Sequence, residues 1–265
     1  MRPSDAEVAV AAAEAGAAIV RARFGTPLTR VEKAPMDFAT DVDVGAEHAI
    51  LDVLRAARPA DAYLGEELGT SGNGSAGRVW LIDPLCGTVN FAAQTPMMAV
   101  NVALSDGSRT GAAAVAAPLA GEVFWTDGQQ AFLRRNGTDT AISPAADTRL
   151  VDINLDPPHP NGTSFQAARM LADPAFMTAF RARVSATALP LAWVAAGRRA
   201  AYVTDGHLRD NVHFSAGIAL CQAAGCVISG LQGQPLYTGT GGLVAGADRQ
   251  AHAALIEIIG QQFIR

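Results

Sequence analysis

Positive charge is scarce in this sequence, and its scarcity argues against one class of partner. Lys and Arg together number 20 against 25 Asp and Glu, which gives a formal net charge of −5. No run of five or more basic residues occurs. Because nucleic-acid binding relies on Lys and Arg side chains that neutralise phosphates, we expect no nucleic-acid partner.

Long apolar runs and a cysteine framework are also missing. No apolar run reaches the roughly 18–20 residues that a membrane-spanning helix needs, so we expect no membrane association. The Ala-rich N-terminal segment is broken by Glu7, Glu14 and Arg21, which predicts an amphipathic helix and not a signal peptide. The three cysteines are an odd number without regular spacing, which is typical of reduced thiols in a cytoplasmic protein.

What the sequence does contain is apolar segments with clear periodicity. Hydrophobic residues make up 49% of the 265 positions, enough for a sizeable core in one large domain or two coupled lobes. Helical spacing predicts helices over 4–23, capped by Ser4 or Asp5, and over 44–57. A short strand is expected over 62–65, followed by a flexible Gly- and Ser-rich loop over 69–78.

Residues 79–134 have the pattern of a sheet in which each strand pairs with the next. Short apolar segments separated by turns predict an antiparallel meander with strands over 79–82, 99–104, 111–117, 122–126 and 130–134. Later in the chain, helices alternate with short strands over 150–155, 164–171, 175–183, 191–196, 216–224, 226–229 and 249–259. We therefore predict two lobes, an α+β lobe over 1–145 and an α/β lobe over 146–265.

One strand end concentrates the acidic side chains. The apolar strand over 79–82 is followed by Asp83 and then by a proline and a glycine that force a tight turn. Carboxylates in such a turn, often with a backbone carbonyl, are ligands that Mg²⁺ prefers. Glu66 and Glu67 follow an earlier strand, and because they are adjacent only one can share a face with Asp83. An unpaired carboxylate behind an apolar strand is costly, which favours a metal site over a solvated acidic turn.

These residues belong to a longer pattern. Residues 65–67 are Gly-Glu-Glu, and residues 80–91 are Trp-Leu-Ile-Asp-Pro-Leu-Cys-Gly-Thr-Val-Asn-Phe. The pattern resembles the signature of the inositol monophosphatase superfamily of metal-dependent phosphomonoesterases, which is Gly-Glu-Glu and Trp-x-x-Asp-Pro-x-Asp-Gly-Thr-x-Asn-Phe. Further segments resemble the family over 37–43 (Asp-x-x-Thr-x-x-Asp, with Lys33 upstream), 185–198 and 212–217. The resemblance covers nearly the whole chain.

The resemblance implies a fold and a first set of roles. The fold class is α/β, the layered αβαβα sandwich of the inositol monophosphatase/fructose-1,6-bisphosphatase type, with the site between the two lobes. Glu66, Asp83 and the backbone carbonyl of Leu85 would hold one Mg²⁺. Asp41 and Thr88 would orient and deprotonate the attacking water.

The resemblance also implies how a substrate is held. The backbone amides of Gly87 and Thr88 would cradle a phosphate, because glycine permits close approach. Ser185 lies in a segment that resembles the family's Gly-Ser-Ala-Ala-Leu segment, and we expect it at the substrate. The substrate would be a small phosphorylated sugar-like or cyclitol-like molecule, and the protein a cytoplasmic homodimer.

Two residues depart from the family's pattern. Cys86 stands where the second Asp of the turn belongs, and His213 stands where the Asp of the Trp-Asp signature belongs. With Asp83, those positions would hold the family's second metal. Thiolate and imidazole are softer ligands than Mg²⁺ prefers. Asp210 could replace the missing carboxylate if a helix covers both residues, because Asp210 and His213 would then share a face.

Three interpretations of Cys86 are open from the sequence. With Asp83 and His213, it makes a mixed N/S/O site that suits Zn²⁺ or another transition metal. Alternatively, the second metal site is lost and Cys86 is a small buried residue. In the third interpretation Cys86 is a nucleophile and His213 is its base.

Three functions are correspondingly open. The first is a divergent metal-dependent phosphomonoesterase, a hydrolase of phosphoric monoesters. The second is a repurposed enzyme that uses Cys86 and His213 for other chemistry on a pathway intermediate, and the third is a non-catalytic binding homologue. The retained Asp41 and Thr88 favour an enzyme, because a binding protein does not need residues that position water.

Overall fold

Two helices of the N-terminal half begin at capping boxes. The computed structural model describes residues 2–34, 37–74, 77–107 and 109–263. Helix α1 (Asp5–Arg23) starts after Ser4, whose hydroxyl accepts from the Glu7 amide while the Glu7 carboxylate accepts from the Ser4 amide. This confirms the predicted cap at Ser4 and the helix that follows it.

The chain between the two helices forms a hairpin that the sequence analysis did not predict. Strands β1 (Arg30–Ala34) and β2 (Asp37–Thr40) pair antiparallel. Helix α2 (Asp41–Ala57) follows directly, with Thr40 as its N-cap and Asp43 as the acidic partner of the capping box. The helix therefore begins before Val44, where apolar spacing alone places its start, because the cap and not the apolar stripe sets the first turn.

An eight-stranded sheet follows, in the order β10-β9-β8-β7-β6-β5-β3-β4. Its strands are β3 (Ala62–Gly65), β4 (Gly69–Gly72), β5 (Val79–Cys86), β6 (Ala99–Ser105), β7 (Thr110–Ala117), β8 (Glu122–Thr126), β9 (Ala131–Arg135) and β10 (Thr138–Ala141). Each strand from β5 to β10 pairs antiparallel with the next, which confirms the predicted meander. Strand β3 pairs parallel with β5, so the chain segments after β3 and at the end of β5 meet at one edge.

The predicted loop over 69–78 is wrong in its first part. Residues 69–72 form the edge strand β4, which pairs with β3. Glycine and serine give no apolar alternation, so the side-chain pattern does not reveal a strand that is held by backbone hydrogen bonds alone. Residues 75 and 76 of the predicted loop lie outside the described residues.

The core of this part of the chain lies between the helices and the sheet. Helices α1 and α2 pack on each other, α1 packs on β6 and β7, and α2 packs on β5. Trp80 of β5 is fully buried, and its indole N–H donates to the Asp61 carboxylate at 2.9 Å. Strand β5 is thus fixed from its first residues, and its end carries the acidic turn.

The remaining elements alternate between helices and short strands, as predicted for the second half of the chain. They are α3 (Thr88–Ala92), directly after β5, and then β11 (Leu150–Ile153), α4 (Pro174–Ala179), β12 (Arg181–Val184), α5 (Leu189–Ala195), β13 (Ala201–Thr204), α6 (Ser215–Ala224), β14 (Val227–Ser229), β15 (Leu243–Gly246) and α7 (Arg249–Phe263). Of these, α3, β13 and β15 lie outside the predicted segments. A five-stranded sheet has the order β12-β11-β13-β15-β14, and α7 packs on β15 and β14. The α/β fold class is confirmed.

The chain divides into two compact units. The first comprises Met1–Ala141, Thr187–Leu189 and Val212–Leu220, and the second comprises Ile142–Ala186, Pro190–Asn211 and Cys221–Arg265. The two lobes over 1–145 and 146–265 stay a prediction. Among the residues that the structure describes, no helix is both long enough and apolar enough to span a membrane.

Candidate active site and metal centre

The end of β5 turns sharply and buries Asp83. The carboxylate of Asp83 is fully buried, and its Oδ1 accepts from the Leu85 amide at 3.1 Å. The pairing of β5 with β6 shifts register between Asp83 and Cys86. The turn therefore fixes one carboxylate oxygen with its own backbone and leaves Oδ2 to meet other groups.

Two side chains meet Oδ2 of Asp83. The imidazole Nδ1 of His213 lies at 2.7 Å, and the amide of Asn101 donates at 3.3 Å. Asn101 is fully buried on β6, directly opposite Asp83 in the strand register. The sequence analysis missed Asn101, although an amide on the strand paired with β5 is a signal that it could have used.

Glu66 lies beside the carboxylate of Asp83, because the parallel pairing of β3 and β5 brings the residue after β3 next to Asp83 of β5. The Glu66 amide donates to the Ile82 carbonyl at 3.1 Å. Burial, and then the negative charge of Asp83, raise the pKa of Glu66 to about 8. Two carboxylates in this environment favour a bound cation, so Glu66, Asp83 and the Leu85 carbonyl fit the oxygen-ligand requirement of Mg²⁺.

Lys33 of the hairpin supplies one positive charge to Glu66 and Glu67. Its ammonium lies 3.2 Å from Glu66 Oε1 and 2.6 Å from Glu67 Oε1. Burial alone would lower the pKa of Lys33, but its hydrogen bond to Glu67 and the charges of both carboxylates hold that pKa above its usual value. Lys33 thus remains a cation at the edge of the site.

A second buried glutamate shapes the chain at Glu66. Glu47 of α2 is fully buried and accepts from the backbone amides of Glu67 and Leu68 at 2.9 and 3.0 Å. A Cβ on Gly65 would lie 1.8 Å from the Glu47 carboxylate. Gly65 is therefore required so that Glu47 can reach the backbone after Glu66.

Cys86 is buried next to His213 and Asp83. Its sulfur accepts from the Ala188 amide at 3.1 Å. Burial and the Asp83 charge raise the pKa of the Cys86 thiol, while His213 acts in the opposite direction. A raised thiol pKa disfavours the interpretation of Cys86 as a nucleophile, because the thiolate is the reactive form.

Burial and the neighbouring Asp83 carboxylate determine the pKa of His213. Burial alone would lower its pKa, but Asp83, together with a hydrogen bond to Cys86, raises the pKa to about 12. Among the described residues, Asp83, Cys86 and His213 form a cluster in which one ligand atom of each lies within 4.8 Å of the others. Sulfur and nitrogen do not fit the ligand preference of Mg²⁺, so the second metal position of the resemblance does not fit that ion.

Thr88 meets a different aspartate from the one we predicted. Its hydroxyl oxygen lies 2.8 Å from Asp43 Oδ1 and 3.1 Å from the Leu85 carbonyl. The Asp41 carboxylate instead accepts from the Thr29 amide and pairs with Arg23. The structure therefore places Asp43, and not Asp41, beside Thr88, because Asp41 at the start of α2 is exposed and Asp43, two positions on, is buried.

Asp43 is buried and strongly held. Its Oδ2 accepts from the Thr40 amide at 2.9 Å and from the Thr40 hydroxyl. Burial raises the pKa of Asp43, and the hydrogen bonds from Thr40 and Thr88 oppose that rise. The Asp-x-x-Thr-x-x-Asp spacing over 37–43 ends at this residue, so the signal was present in the sequence.

Three further residues singled out in the sequence are Gly87, Ser185 and Asp210, and each has its own environment. Gly87 has φ of 108° and precedes α3, so the turn between β5 and α3 requires a glycine. The Ser185 hydroxyl donates to the Asp152 carboxylate, both in the second unit, and its contact with a substrate stays a prediction. Asp210 has φ of 50° and α6 begins only at Ser215, so the helix that would align Asp210 with His213 is absent there.

Comparisons with known proteins identify the family and agree with the fold. The model of the inositol monophosphatase family matches residues 3–262. The Nus factor SuhB of Escherichia coli K12 is 33% identical over 256 residues, covering 94% of this chain and 93% of that protein. The inositol-1-monophosphatase of Caulobacter vibrioides is 30% identical and covers 88% and 91% of the two chains.

A solved structure supports the same assignment. The extragenic suppressor protein SuhB of Bartonella henselae superposes with a TM-score of 0.81 at 26% identity, covering 94% of this chain and 97% of that one. The fold is that of these relatives. The chain belongs to the inositol monophosphatase family.

Proposed function

We propose that this protein is a metal-dependent phosphomonoesterase that acts on a small phosphorylated sugar-like or cyclitol-like metabolite. The observation that carries the proposal is the contact of the buried Asp43 with the Thr88 hydroxyl, next to the Leu85 carbonyl and the Glu66–Asp83 pair. Membership of the family supports it, as does the activity in the name of the Caulobacter relative.

The cofactor of this proposal is Mg²⁺ on Glu66, Asp83 and the Leu85 carbonyl. These are hard oxygen ligands, and two of them are neighbouring carboxylates, one fully buried and one partly buried, whose negative charge a cation would offset. When bound there, a divalent cation stabilises negative charge on the phosphate oxygens and favours ionisation of a nearby water.

The side chains of the site would handle the water and its proton. A hydroxyl carries one proton, so Thr88 can donate to Asp43 or to the Leu85 carbonyl and still accept from a water. Asp43 can then take the proton that the water loses. The pKa of Asp43 lies above the usual range, which makes it a better base than an exposed aspartate.

The phosphate would be received at the start of α3. Gly87 lacks a side chain and has a left-handed backbone, so the amides of Gly87 and Thr88 can approach an anion closely. Lys33, which already faces Glu66, adds positive charge to the same region. A homodimer in the cytoplasm remains part of the proposal.

The test is release of inorganic phosphate from a generic phosphomonoester, with and without Mg²⁺. We expect release that depends on Mg²⁺, and we expect Glu66→Gln to raise the Mg²⁺ concentration needed for half-maximal rate. Glu32→Gln is the matched control, because Glu32 is exposed on β1. Failure of the wild type to release phosphate with Mg²⁺, Mn²⁺ or Zn²⁺ would overturn the proposal and favour a binding homologue or a repurposed enzyme.

A further inference from the structure

Three side chains of different ligand types converge at the end of β5. Asp83 contributes a carboxylate oxygen, Cys86 a sulfur and His213 an imidazole nitrogen, and these atoms lie within 4.8 Å of one another. All three residues belong to the first compact unit. We propose that they form a binding site for a transition-metal dication such as Zn²⁺, adjacent to the Mg²⁺ position. The inference rests on the proposed function in that Asp83 serves both ions.

The ligand types select the metal. Zn²⁺ takes cysteine sulfur, histidine nitrogen and carboxylate oxygen in four-coordinate sites, whereas Mg²⁺ prefers oxygen alone. Three protein ligands leave one of four positions for a water or a phosphate oxygen, which is the composition of zinc sites in enzymes. A purely structural zinc site would have a fourth protein ligand.

The surroundings of the ligands support the same inference. The Ala188 amide donates to the Cys86 sulfur, and the Asn101 amide donates to Asp83 Oδ2. Such outer contacts orient metal ligands and fix their chemical form. The backbone N–H of Ala188 thus fixes the position of the Cys86 sulfur beside Asp83, where a metal ion could reach both ligands.

The contact of His213 with Asp83 is compatible with this site. Their ligand atoms are 2.7 Å apart, a hydrogen-bond distance. On a shared tetrahedral zinc with metal–ligand distances near 2 Å, they would be roughly 3.3 Å apart. The His213 side chain is 39% exposed, so the ring has room to make that small shift. The metal would then take the place of the proton between the two side chains.

Cobalt substitution tests the site without relying on catalysis. The full chain is treated with a chelator, Co²⁺ is titrated in, and the near-ultraviolet absorption band of a cobalt–thiolate bond is recorded. We expect one equivalent of Co²⁺ to produce this band, and one equivalent of Zn²⁺ to abolish it by displacement. In Cys86→Ser, the band should vanish and Zn²⁺ affinity should fall by more than about 100-fold, beyond the usual effect of an outer contact.

Matched variants separate this site from other thiols and imidazoles. Cys226→Ser is the thiol control, because Cys226 contacts Cys221 and could bind cobalt itself. His48→Gln is the imidazole control for His213→Asn, because His48 is exposed on α2. Both controls should keep the band, and His213→Asn should weaken Zn²⁺ binding. A band that persists in Cys86→Ser, or no band in the wild type, would overturn the inference.

Two further measurements keep the outcome interpretable. The double variant Cys86→Asp/His213→Asp restores both acidic residues of the family pattern, so it should fold, lose the cobalt–thiolate band and bind Mg²⁺ in place of Zn²⁺. The band is independent of phosphate release. A wild type with the band and without phosphatase activity therefore contradicts the proposed function alone, and the reverse result contradicts only the zinc site.

Discussion

The hydroxyl oxygen of Thr88 lies 2.8 Å from Oδ1 of Asp43, a residue that lies 45 positions earlier in the chain. Asp41, which is two positions before Asp43, faces Arg23 and Thr29 instead. The two aspartates belong to the same first turn of α2 but have different environments: one is exposed and the other is buried.

This difference predicts opposite outcomes for two matched substitutions. Asp43→Asn removes the base beside Thr88 and should lower kcat by about 100- to 10,000-fold, the usual range for a general base. Asp41→Asn should leave kcat within a few-fold of wild type. Steady-state phosphate release under saturating Mg²⁺ measures both, and a larger loss in Asp41→Asn would refute the assignment.

The cap of α2 predicts a stability effect at Thr40. Its hydroxyl accepts from the Val42 amide and donates to the buried Asp43 carboxylate. Thr40→Val keeps the shape but removes both contacts, and should destabilise the fold by about 1–2 kcal/mol. Thr40→Ser keeps the hydroxyl and should stay close to wild type. Urea unfolding monitored by circular dichroism distinguishes them, and equal stability of Thr40→Val and Thr40→Ser would argue against the cap.

The close approach of Glu47 to Gly65 predicts that even one added methyl group is harmful. In Gly65→Ala, the new Cβ would lie 1.8 Å from the Glu47 carboxylate, which must then release the Glu67 and Leu68 amides. We expect a loss of about 1–3 kcal/mol and weaker Mg²⁺ activation, because Glu66 follows directly.

Gly111→Ala is the control for this substitution. Gly111 has no neighbour within 4 Å of the added Cβ and no left-handed backbone. The temperature of unfolding and the Mg²⁺ activation of this variant should equal those of the wild type. If both glycine variants lose stability equally, steric contact with Glu47 is not the cause.

His252 predicts how stability depends on pH. Burial lowers the pKa of this histidine, and its Nε2 lies 2.8 Å from the Ser229 hydroxyl. The unfolded chain, with an ordinary histidine pKa near 6.5, therefore binds a proton more readily than the folded chain. Stability contributed by neutral His252 is present above that pKa and is lost as the pH falls below it.

The corresponding experiment compares wild type with His252→Gln. Between about pH 7.5 and about pH 5.5 the wild type should lose more unfolding free energy than the variant, because only the wild type can protonate at this position. Urea denaturation at both pH values measures the difference. Identical pH dependence in the two proteins would show that burial does not perturb His252.

The elements with strong side-chain patterns could be predicted from the sequence. The meander over β5 to β9 has apolar strands separated by turn residues, and the first helix has a complete capping box. The hairpin β1–β2 and the edge strand β4 could not, because their residues are largely exposed or small and the strands are held by backbone pairing.

The site could be predicted in part, because its motif residues are recognisable in the sequence while their partners in the fold are not. Glu66, Asp83, Cys86 and His213 do lie together, as the family resemblance implies. The partners that hold them could not be foreseen, since Asn101 and Glu47 act across strand pairs and helix packing. Choosing between Asp41 and Asp43 required knowing which side of α2 faces inward, and apolar spacing starting at Val44 did not extend to that turn.

The contact between Asp83 and His213 spans 130 positions of the chain. Proteins are synthesised from the N-terminus, so Asp83, Glu66 and the strands that carry them leave the ribosome well before His213 exists. Cys86 is made directly after Asp83 and Leu85, so the proposed transition-metal ligand set lacks only His213 until the chain reaches that residue. The ligands of the proposed Mg²⁺ position are therefore all made well before the last ligand of the proposed transition-metal site.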